Sequence, residues 1–500
     1  IFSKSSHVPM NGDYSPEVIV IDDNSSTSSS ESSLGSHGLT PDEYCGCSVD
    51  NLTDYEKQEI FLYPEVYFTG AINKKLRSRA PEDFDDNNGA YKFVQNDHIA
   101  YRYELLKKLG SGSFGQVYEC YDHRDKKRVA VKIVRTPTRV ARSAVIEIDL
   151  LTKLSGRHAG ADCIIKMLQS FEFRKHQCLV FELMGPSLYD HLKATNFRGI
   201  IPSVVKSIAD SVLLALDYLK RNDVIHCDLK PENILFYPND MKRLKLVDFG
   251  SACRRDQLAF TYIQSRFYRA PEVLMGIRYD VHIDMWSFGC IIPELLTGSP
   301  LFAGDDSFDQ MTVIMEVLGE PPEDFKRIGT KAEKYFRPVT GRPLYCQRFR
   351  NEDGSFYYVP QMTNRGKMRK LPGERDWRTV LRGKFDENLV NFLRSVLKYG
   401  GSDRVTPMEA YNDPWLREPI ENHVLDVVDG DLTCMEVDVV EDWDMVDTVW
   451  DMVLVMVDMV DMVWDMAWDT VWEVFVVVVT VDSWEKEMWI LEVRNRFRSS

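Results

Sequence analysis

The chain has 500 residues, 44% of them hydrophobic and 28% charged, enough to build at least two well-packed lobes. Its formal net charge of −16 is unevenly placed: residues 421–500 hold 20 Asp and Glu against 4 Lys and Arg, so the first 420 residues are balanced. No run of about 18 uncharged apolar residues occurs, which excludes a membrane-spanning helix, and ten cysteines scattered from Cys45 to Cys434 argue against a disulfide scaffold and for a reducing compartment.

In chain order, the run Ser25-Ser26-Thr27-Ser28-Ser29-Ser30-Glu31-Ser32-Ser33 has almost nothing to bury, and residues 1–38 are expected to be disordered. From Tyr103 the texture is that of a mixed globular domain. Tyr103–Leu109 and Val117–Cys120 read as strands on either side of Gly110-Ser111-Gly112-Ser113-Phe114-Gly115. Glycines there let backbone amides approach phosphate oxygens with no Cβ in the way. A dinucleotide-binding turn shares the pattern, but that fold requires a helix after the glycines, and here a strand follows. The next strand, Val129-Ala130-Val131-Lys132-Ile133-Val134, offers Lys132 as a cation for the α- and β-phosphates. Glu147 follows in the helical pattern Ala144–Leu151 and can pair with Lys132 to fix it. Taken singly, each is an ordinary surface Lys or Glu.

Helical periodicity dominates later, as in Val205 to Leu219. His226-Cys227-Asp228-Leu229-Lys230-Pro231-Glu232-Asn233 and Asp248-Phe249-Gly250 then supply a reaction centre for phosphoryl transfer, which needs positioning and charge stabilisation more than covalent chemistry. Asp228 can orient the hydroxyl of a substrate, and Lys230 can neutralise charge on the moving phosphoryl group. Asn233 and Asp248 offer oxygen ligands of the kind Mg²⁺ prefers. Ala270-Pro271-Glu272 closes the loop that follows, Asp284–Gly289 opens a core helix, and Arg404 is placed to pair with Glu272. The set in this order resembles the protein kinases. It implies an α+β fold of two lobes, an antiparallel β N-lobe and a helical C-lobe, with ATP and Mg²⁺ between them. The long loop and Ala-Pro-Glu segment favour protein substrates over a small-molecule phosphotransferase. Intact Lys132, Asp228 and Asp248 disfavour a catalytically dead scaffold.

More narrowly, residues 39–418 resemble the dual-specificity tyrosine-regulated kinases (DYRK), class II branch, of the CMGC group. The most specific mark is Phe260-Thr261-Tyr262-Ile263-Gln264-Ser265-Arg266-Phe267-Tyr268-Arg269. The resemblance implies autophosphorylation of Tyr262 and subsequent action on serine and threonine. It also implies an accessory region and DH box over 39–102, carried by Leu52–Ile60, Tyr63–Gly70 and Asn96–Tyr103, and a kinase domain over 103–418. Leu109, Gly110, Ser111, Gly112, Ser113, Phe114, Gly115, Val117, Ala130, Lys132 and Asn233 are the implied nucleotide contacts, with Phe181 as gatekeeper and Glu182, Leu183 and Met184 as hinge. Glu232 is assigned to a substrate arginine, and an insert from about Arg337 to Trp377 is a further family feature. Cys227 stands where many kinases carry the arginine that orders this loop, so Arg266 and Arg269 remain as partners for a phosphotyrosine. Cys227 itself reads as a small buried filler rather than a redox switch.

Two departures from the family pattern predict a weakened C-lobe. Leu397–Arg404 lacks the usual Trp-Asp-Pro, and Pro293 falls inside the helix after Trp286, where a missing N–H and a ring clash cost about 3 kcal/mol. The tail repeats in sevens through Trp443-Asp444-Met445-Val446 and Trp450-Asp451-Met452-Val453, apolar nearly everywhere but the aspartates. A coiled coil needs polar faces around its seam, so 419–500 is expected to be an acidic low-complexity tail and not a native domain. The expected partners are protein substrates, with no nucleic acid and no membrane. A monomeric kinase domain in the cytoplasm is expected, with nuclear entry open.

Overall fold

The computed structural model describes residues 19–20 and 38–418, apart from positions 137, 157, 159, 239, 259–261, 364 and 385. The tail (419–500) and the Ser-rich segment, except 19–20 and 38, lie outside the described residues. Strands β1 (Ile19–Val20), β2 (His98–Ile99), β3 (Tyr103–Ser111), β4 (Gly115–Asp122), β5 (Lys127–Val134), β6 (Met167–Phe173) and β7 (His176–Glu182) form one sheet in the order β1-β6-β7-β5-β4-β3-β2. Every pairing in it is antiparallel.

Successive side chains of a strand point to opposite faces, and on β5 both faces are covered. Val129, Val131 and Ile133 enter one apolar cluster with Tyr118, Phe171, Phe173, Phe84 and Tyr91. Ala130 and Val134 enter the main core with Ala144, Leu150, Leu151 and Leu154. Helices α1 (Pro41–Ser48) and α2 (Glu56–Glu59) lie between β1 and β2 in the chain; Ala144, Leu150, Leu151 and Leu154 belong to α3 (Thr138–Leu154), which packs on the sheet. Lys132 therefore sits on the α3 side of the strand, between Ala130 and Val134.

The large lobe is built from α4 (Leu188–Ala194), α5 (Pro202–Arg221), α6 (Pro271–Met275), α7 (His282–Thr297) and α8 (Ser307–Leu318). Proline at the first turn suits α5, and Val205, Ile208, Ala209, Val212, Leu216 and Leu219 form the buried stripe that the 3.6-residue period requires. Two short ladders carry the loops facing the sheet: β8 (Val224–Ile225) with β11 (Cys253–Arg254), and β9 (Ile234–Tyr237) with β10 (Asp240–Leu246). Helix α7 continues through Pro293 without a break. Every residue from Ile283 to Leu296 is buried.

Loss of Trp-Asp-Pro is also absorbed. Arg404, fully buried, donates to both oxygens of Glu272 at 2.6 and 2.7 Å, and to the carbonyls of Lys398 at 2.9 Å and Tyr399 at 3.3 Å. The Tyr399 hydroxyl donates to the Gly319 carbonyl at 2.6 Å, so the loop keeps its shape through a different aromatic.

The segment ahead of the sheet is fastened to it by buried charge. β6 and β7 join through a two-residue turn, Arg174-Lys175, with φ of 49° and 65°, the backbone that favours a tight hairpin. From this turn Arg174 reaches back to residues 59–91. Its Nε and Nη2 donate to the two oxygens of Glu59 at 2.9 and 2.8 Å, its Nη1 donates to the Tyr91 hydroxyl at 3.0 Å, and its guanidinium lies 3.6 Å over Phe84. Glu56 receives Lys75 at 2.7 Å and the His98 ring at 2.8 Å. Burial works against the Glu56 charge, but His98 and Lys75 hold its pKa well below the usual carboxylate range. Removing one member of such a network leaves the others charged and unpaired, at about 3–5 kcal/mol. Arg174→Gln is therefore expected to lower stability by about that much in urea unfolding and to open residues 39–102 to protease before the lobes. Unchanged stability and protection would show that the accessory region is held by its apolar contacts alone.

Candidate active site

The glycine loop is a turn between β3 and β4. Gly112 donates its N–H to the Gly115 carbonyl at 2.9 Å. A Cβ on Gly115 would lie 2.4 Å from the Ile133 carbonyl, so only glycine lets β4 pass this close to β5. Cβ atoms on Gly110 or Gly112 would meet nothing within 4 Å, which leaves the backbone of Gly110–Gly112 open to a phosphate. Ser111 and Ser113 are exposed at the tip and Phe114 is half-buried, its carbonyl accepting from Arg135 N–H at 3.0 Å. Leu109 is exposed at the loop's base, whereas Val117, Leu183 and Met184 pack against the core that holds Ala130 and Phe181. The Glu182 carboxylate is turned to the Lys166 N–H at 2.8 Å and the Lys245 ammonium at 2.5 Å. The hinge is thus braced from behind by its own side chain.

Lys132 stands at the centre. Its Nζ donates to Glu147 Oε1 and Oε2 at 2.7 and 2.9 Å and to Asp248 Oδ1 at 2.9 Å. Burial opposes its charge, but Asp248 and Glu147 keep its pKa above the usual lysine value. Asp248 in turn is held down to about 2, chiefly by Lys132. Asp248 adopts φ 61°, a left-handed backbone uncommon for a residue with a side chain. A Cβ on Gly250 would sit 3.2 Å from Lys132 Nζ and 3.4 Å from Glu147 Oε2, so glycine there keeps the triad unobstructed.

Across from it, Lys230 Nζ donates to Asp228 Oδ2 at 2.7 Å. Burial works against the Lys230 charge, and Asp228 outweighs it, raising its pKa. Asn233 Nδ2 donates to the Asp228 carbonyl at 2.9 Å, which leaves its side-chain oxygen for a cation. Beneath the loop, Asp284 accepts from the backbone N–H groups of His226 and Cys227 at 2.7 and 3.1 Å. Burial pushes the Asp284 carboxyl up to about 6. Cys227 has φ 64° and is fully buried, its Sγ 3.7 Å from that of Cys253. Its contact with Cys253 and burial raise the thiol's pKa well above normal, which keeps it protonated and a poor nucleophile.

Three residues passed over as individuals in the sequence take part. Ser265 donates from Oγ to Asp228 Oδ1 at 2.8 Å and lies 3.3 Å from Lys230 Nζ. Glu294 accepts from the Tyr268 hydroxyl at 2.7 Å; burial first, and the charge of Glu232 second, push it up to about 7. Cys253 is the third. None carries a sequence signal of its own, because each acts through a fold contact. The expected activation arginines separate in role. Arg269 is buried, lies 4.0 Å over the Tyr262 ring, donates to the Ile263 and Gln264 carbonyls, and leaves Nη1 buried without a hydrogen-bond partner. Arg266 is held by the carbonyls of Gly304 and Asp305. Tyr262 is 67% exposed, and the Arg269 guanidinium beside its hydroxyl lowers its pKa. Phe260 and Thr261, quoted with it, lie outside the described residues.

Residues 103–416 match the protein kinase domain model. The chain is 45% identical over 387 residues to the dual specificity tyrosine-phosphorylation-regulated kinase 3 of Homo sapiens, covering 76% of this chain and 66% of that protein. It is 43% identical to the kinase mbk-2 of Caenorhabditis elegans, over 77% of this chain and 48% of the other. With the dual specificity tyrosine-phosphorylation-regulated kinase 4 of Homo sapiens it shares 41% identity, over 76% of this chain and 71% of that protein. The chain thus spans about two thirds of these human relatives and about half of the worm protein. It belongs to the dual-specificity tyrosine-phosphorylation-regulated kinases, a family of the protein kinases.

Proposed function

We propose that this chain transfers the γ-phosphate of ATP to serine and threonine of protein substrates through Lys132, Glu147, Asp228, Lys230, Asn233 and Asp248, after autophosphorylation of Tyr262. The observation that carries the reading is Lys132 held at 2.7–2.9 Å by both Glu147 and Asp248, in the same cleft as the paired Asp228 and Lys230. Lys132 is fixed on β5 opposite Val117 of the glycine hairpin, so its ammonium can hold the α- and β-phosphates. Asp228 receives the proton of the attacking hydroxyl, and Lys230 offsets charge on the transferring group. Ser265 Oγ already makes both contacts that an incoming hydroxyl needs.

The donor set fits Mg²⁺: Asp248 is ionised with a 42% exposed side chain, and Asn233 has its oxygen free. Asn233 and Asp248 would hold the ion, which would neutralise phosphate charge. Arg269, with one buried guanidinium nitrogen unsatisfied next to Tyr262, is the receptor for the phosphotyrosine. Glu232 with Glu294 offers two carboxyls for a substrate arginine. The cytoplasm suits nine cysteines that form no disulfide among the described residues. Among those residues no helix is long and apolar enough to cross a membrane.

Lys132→Arg and Asp228→Asn should each lower kcat on a generic protein substrate by about 100-fold or more, with unfolding transitions unchanged. Near-normal turnover by folded Asp228→Asn rejects the assignment. Recombinant active enzyme should carry phosphate on Tyr262 by mass spectrometry, and Tyr262→Phe should lose most activity; fully active protein without that phosphate rejects the activation scheme. In a peptide-library screen, Glu232→Gln should cut selection for arginine a few residues before the target by about 10-fold, the size of one charged hydrogen bond. Because Glu294 is held near 7, arginine selection should strengthen as pH rises through 7 and fade below it, where the carboxyl is protonated. A flat profile with intact selection in the variant would retire both acids as the subsite.

A further inference from the structure

The insert between Arg337 and Trp377 carries nine Lys and Arg against four Asp and Glu. Four of its basic residues are ion-paired: Arg369 with Asp309, Arg342 with Glu320, Arg365 with Asp305 and Arg375 with Glu316. Two others, Arg348 and Arg350, lie on a hairpin, β12 (Cys346–Arg350) and β13 (Phe356–Pro360), which forms a sheet of two strands only. Its register pairs Arg348 with Tyr358 and Arg350 with Phe356 on one face, and Gln347 with Val359 and Phe349 with Tyr357 on the other.

The Phe349–Tyr357–Val359 face is open, and the arginine face is open at Arg348, Arg350 and Phe356, while its Cys346 is buried and its Tyr358 packs against the main core. Phe349, Phe356, Tyr357 and Val359 are 42%, 49%, 46% and 38% exposed. On the first face the guanidinium of Arg348 lies 3.9 Å over the Phe356 ring and that of Arg350 5.9 Å from it, and Arg342 lies 5.4 Å over Tyr358. Neither Arg348 nor Arg350 makes an ion pair among the described residues. On the second face Phe349 and Tyr357 stack at 5.5 Å with no cation over them. A two-stranded ribbon is marginal in water, and one that exposes three aromatic rings and two unpaired edges is a template for another strand.

We propose that Cys346–Pro360 is a docking ribbon for an extended segment of another protein, in which acidic and apolar residues alternate. Added as a third strand, such a segment receives backbone hydrogen bonds from the ribbon edge. Its period of two then sends every acidic side chain to the arginine face and every apolar one to the Phe349–Tyr357–Val359 face. Charge complementarity selects the acids, since arginines flattened on rings still present their N–H edges outward. A single-stranded nucleic acid fits less well, because it needs cations and open ring faces on one side, and here they lie on opposite sides.

The test is fluorescence anisotropy with the full chain and a labelled peptide of alternating Glu and Val, against a block peptide of the same composition, oligouridylate and anionic phosphatidylserine vesicles. The alternating peptide should bind at least 10-fold tighter than the block peptide. Arg348→Glu with Arg350→Glu should weaken it at least 10-fold, and Phe349→Ser with Tyr357→Ser should do the same. Turnover of a short generic peptide should stay unchanged in both variants, which separates this site from the catalytic reading. Equal binding of the two peptides, no binding, or affinity unaffected by either double variant overturns the proposal. Tighter binding of oligouridylate or vesicles that the arginine variant abolishes overturns it in favour of that ligand.

Discussion

Lys132 is bonded to a helix of the small lobe on one side and to a loop of the large lobe on the other, through Glu147 and Asp248. Lys132 and Glu147 are buried, and removing either from water alone would cost several kcal/mol, while Asp248 keeps a 42% exposed side chain. The arrangement persists because each carboxylate neutralises part of the ammonium and β5 brings Lys132 to the α3 face. The rest of the candidate site is arranged around it: the triad ties α3 to the sheet and to Asp248, whose backbone is left-handed.

The large lobe repeats the same solution at two further points. Asp284, raised to about 6 by burial, is retained because it caps the N–H groups of His226 and Cys227 and so shapes the loop that carries Asp228. Arg404 and Glu272 tie the end of the activation segment to the loop after Val396. In the loop that lacks Trp-Asp-Pro, the Arg404 guanidinium is held by the carbonyls of Lys398 and Tyr399, and the Tyr399 hydroxyl donates to the Gly319 carbonyl.

Residues that act through local pattern were legible in the sequence. The glycine loop, the strand with Lys132, the stripe of α5 and the Glu272–Arg404 pair each follow from spacing or motif order. Residues that act across the fold were not. Arg174 is one basic residue in a short turn, and nothing near it in sequence announces Glu59, 115 positions away. Glu294 is hidden in an apolar helix beside a proline, and its relation to Glu232 exists only once α7 packs beneath the catalytic loop. Pro293 lies within a helix that runs on through it, buried on every side from Ile283 to Leu296, a tertiary setting that the local rule for proline does not include.

Cys227 bears on how the activation segment is ordered. An arginine at that position would reach from the catalytic loop to a loop phosphate and link the two directly. A buried, protonated thiol against Cys253 makes no such link. The cation beneath Tyr262 comes instead from Arg269, seven residues along the same segment, and its other nitrogens are already bonded to the Ile263 and Gln264 carbonyls. Phosphate on Tyr262 would therefore satisfy a guanidinium nitrogen that is already buried and in place. Such a pair closes a loop of few residues, for which the entropic cost is small, and it needs no movement of the catalytic loop. Ser265, between the two residues, contacts Asp228 and Lys230, so under the proposed activation scheme only three residues of backbone separate the phosphate from the proposed reaction centre.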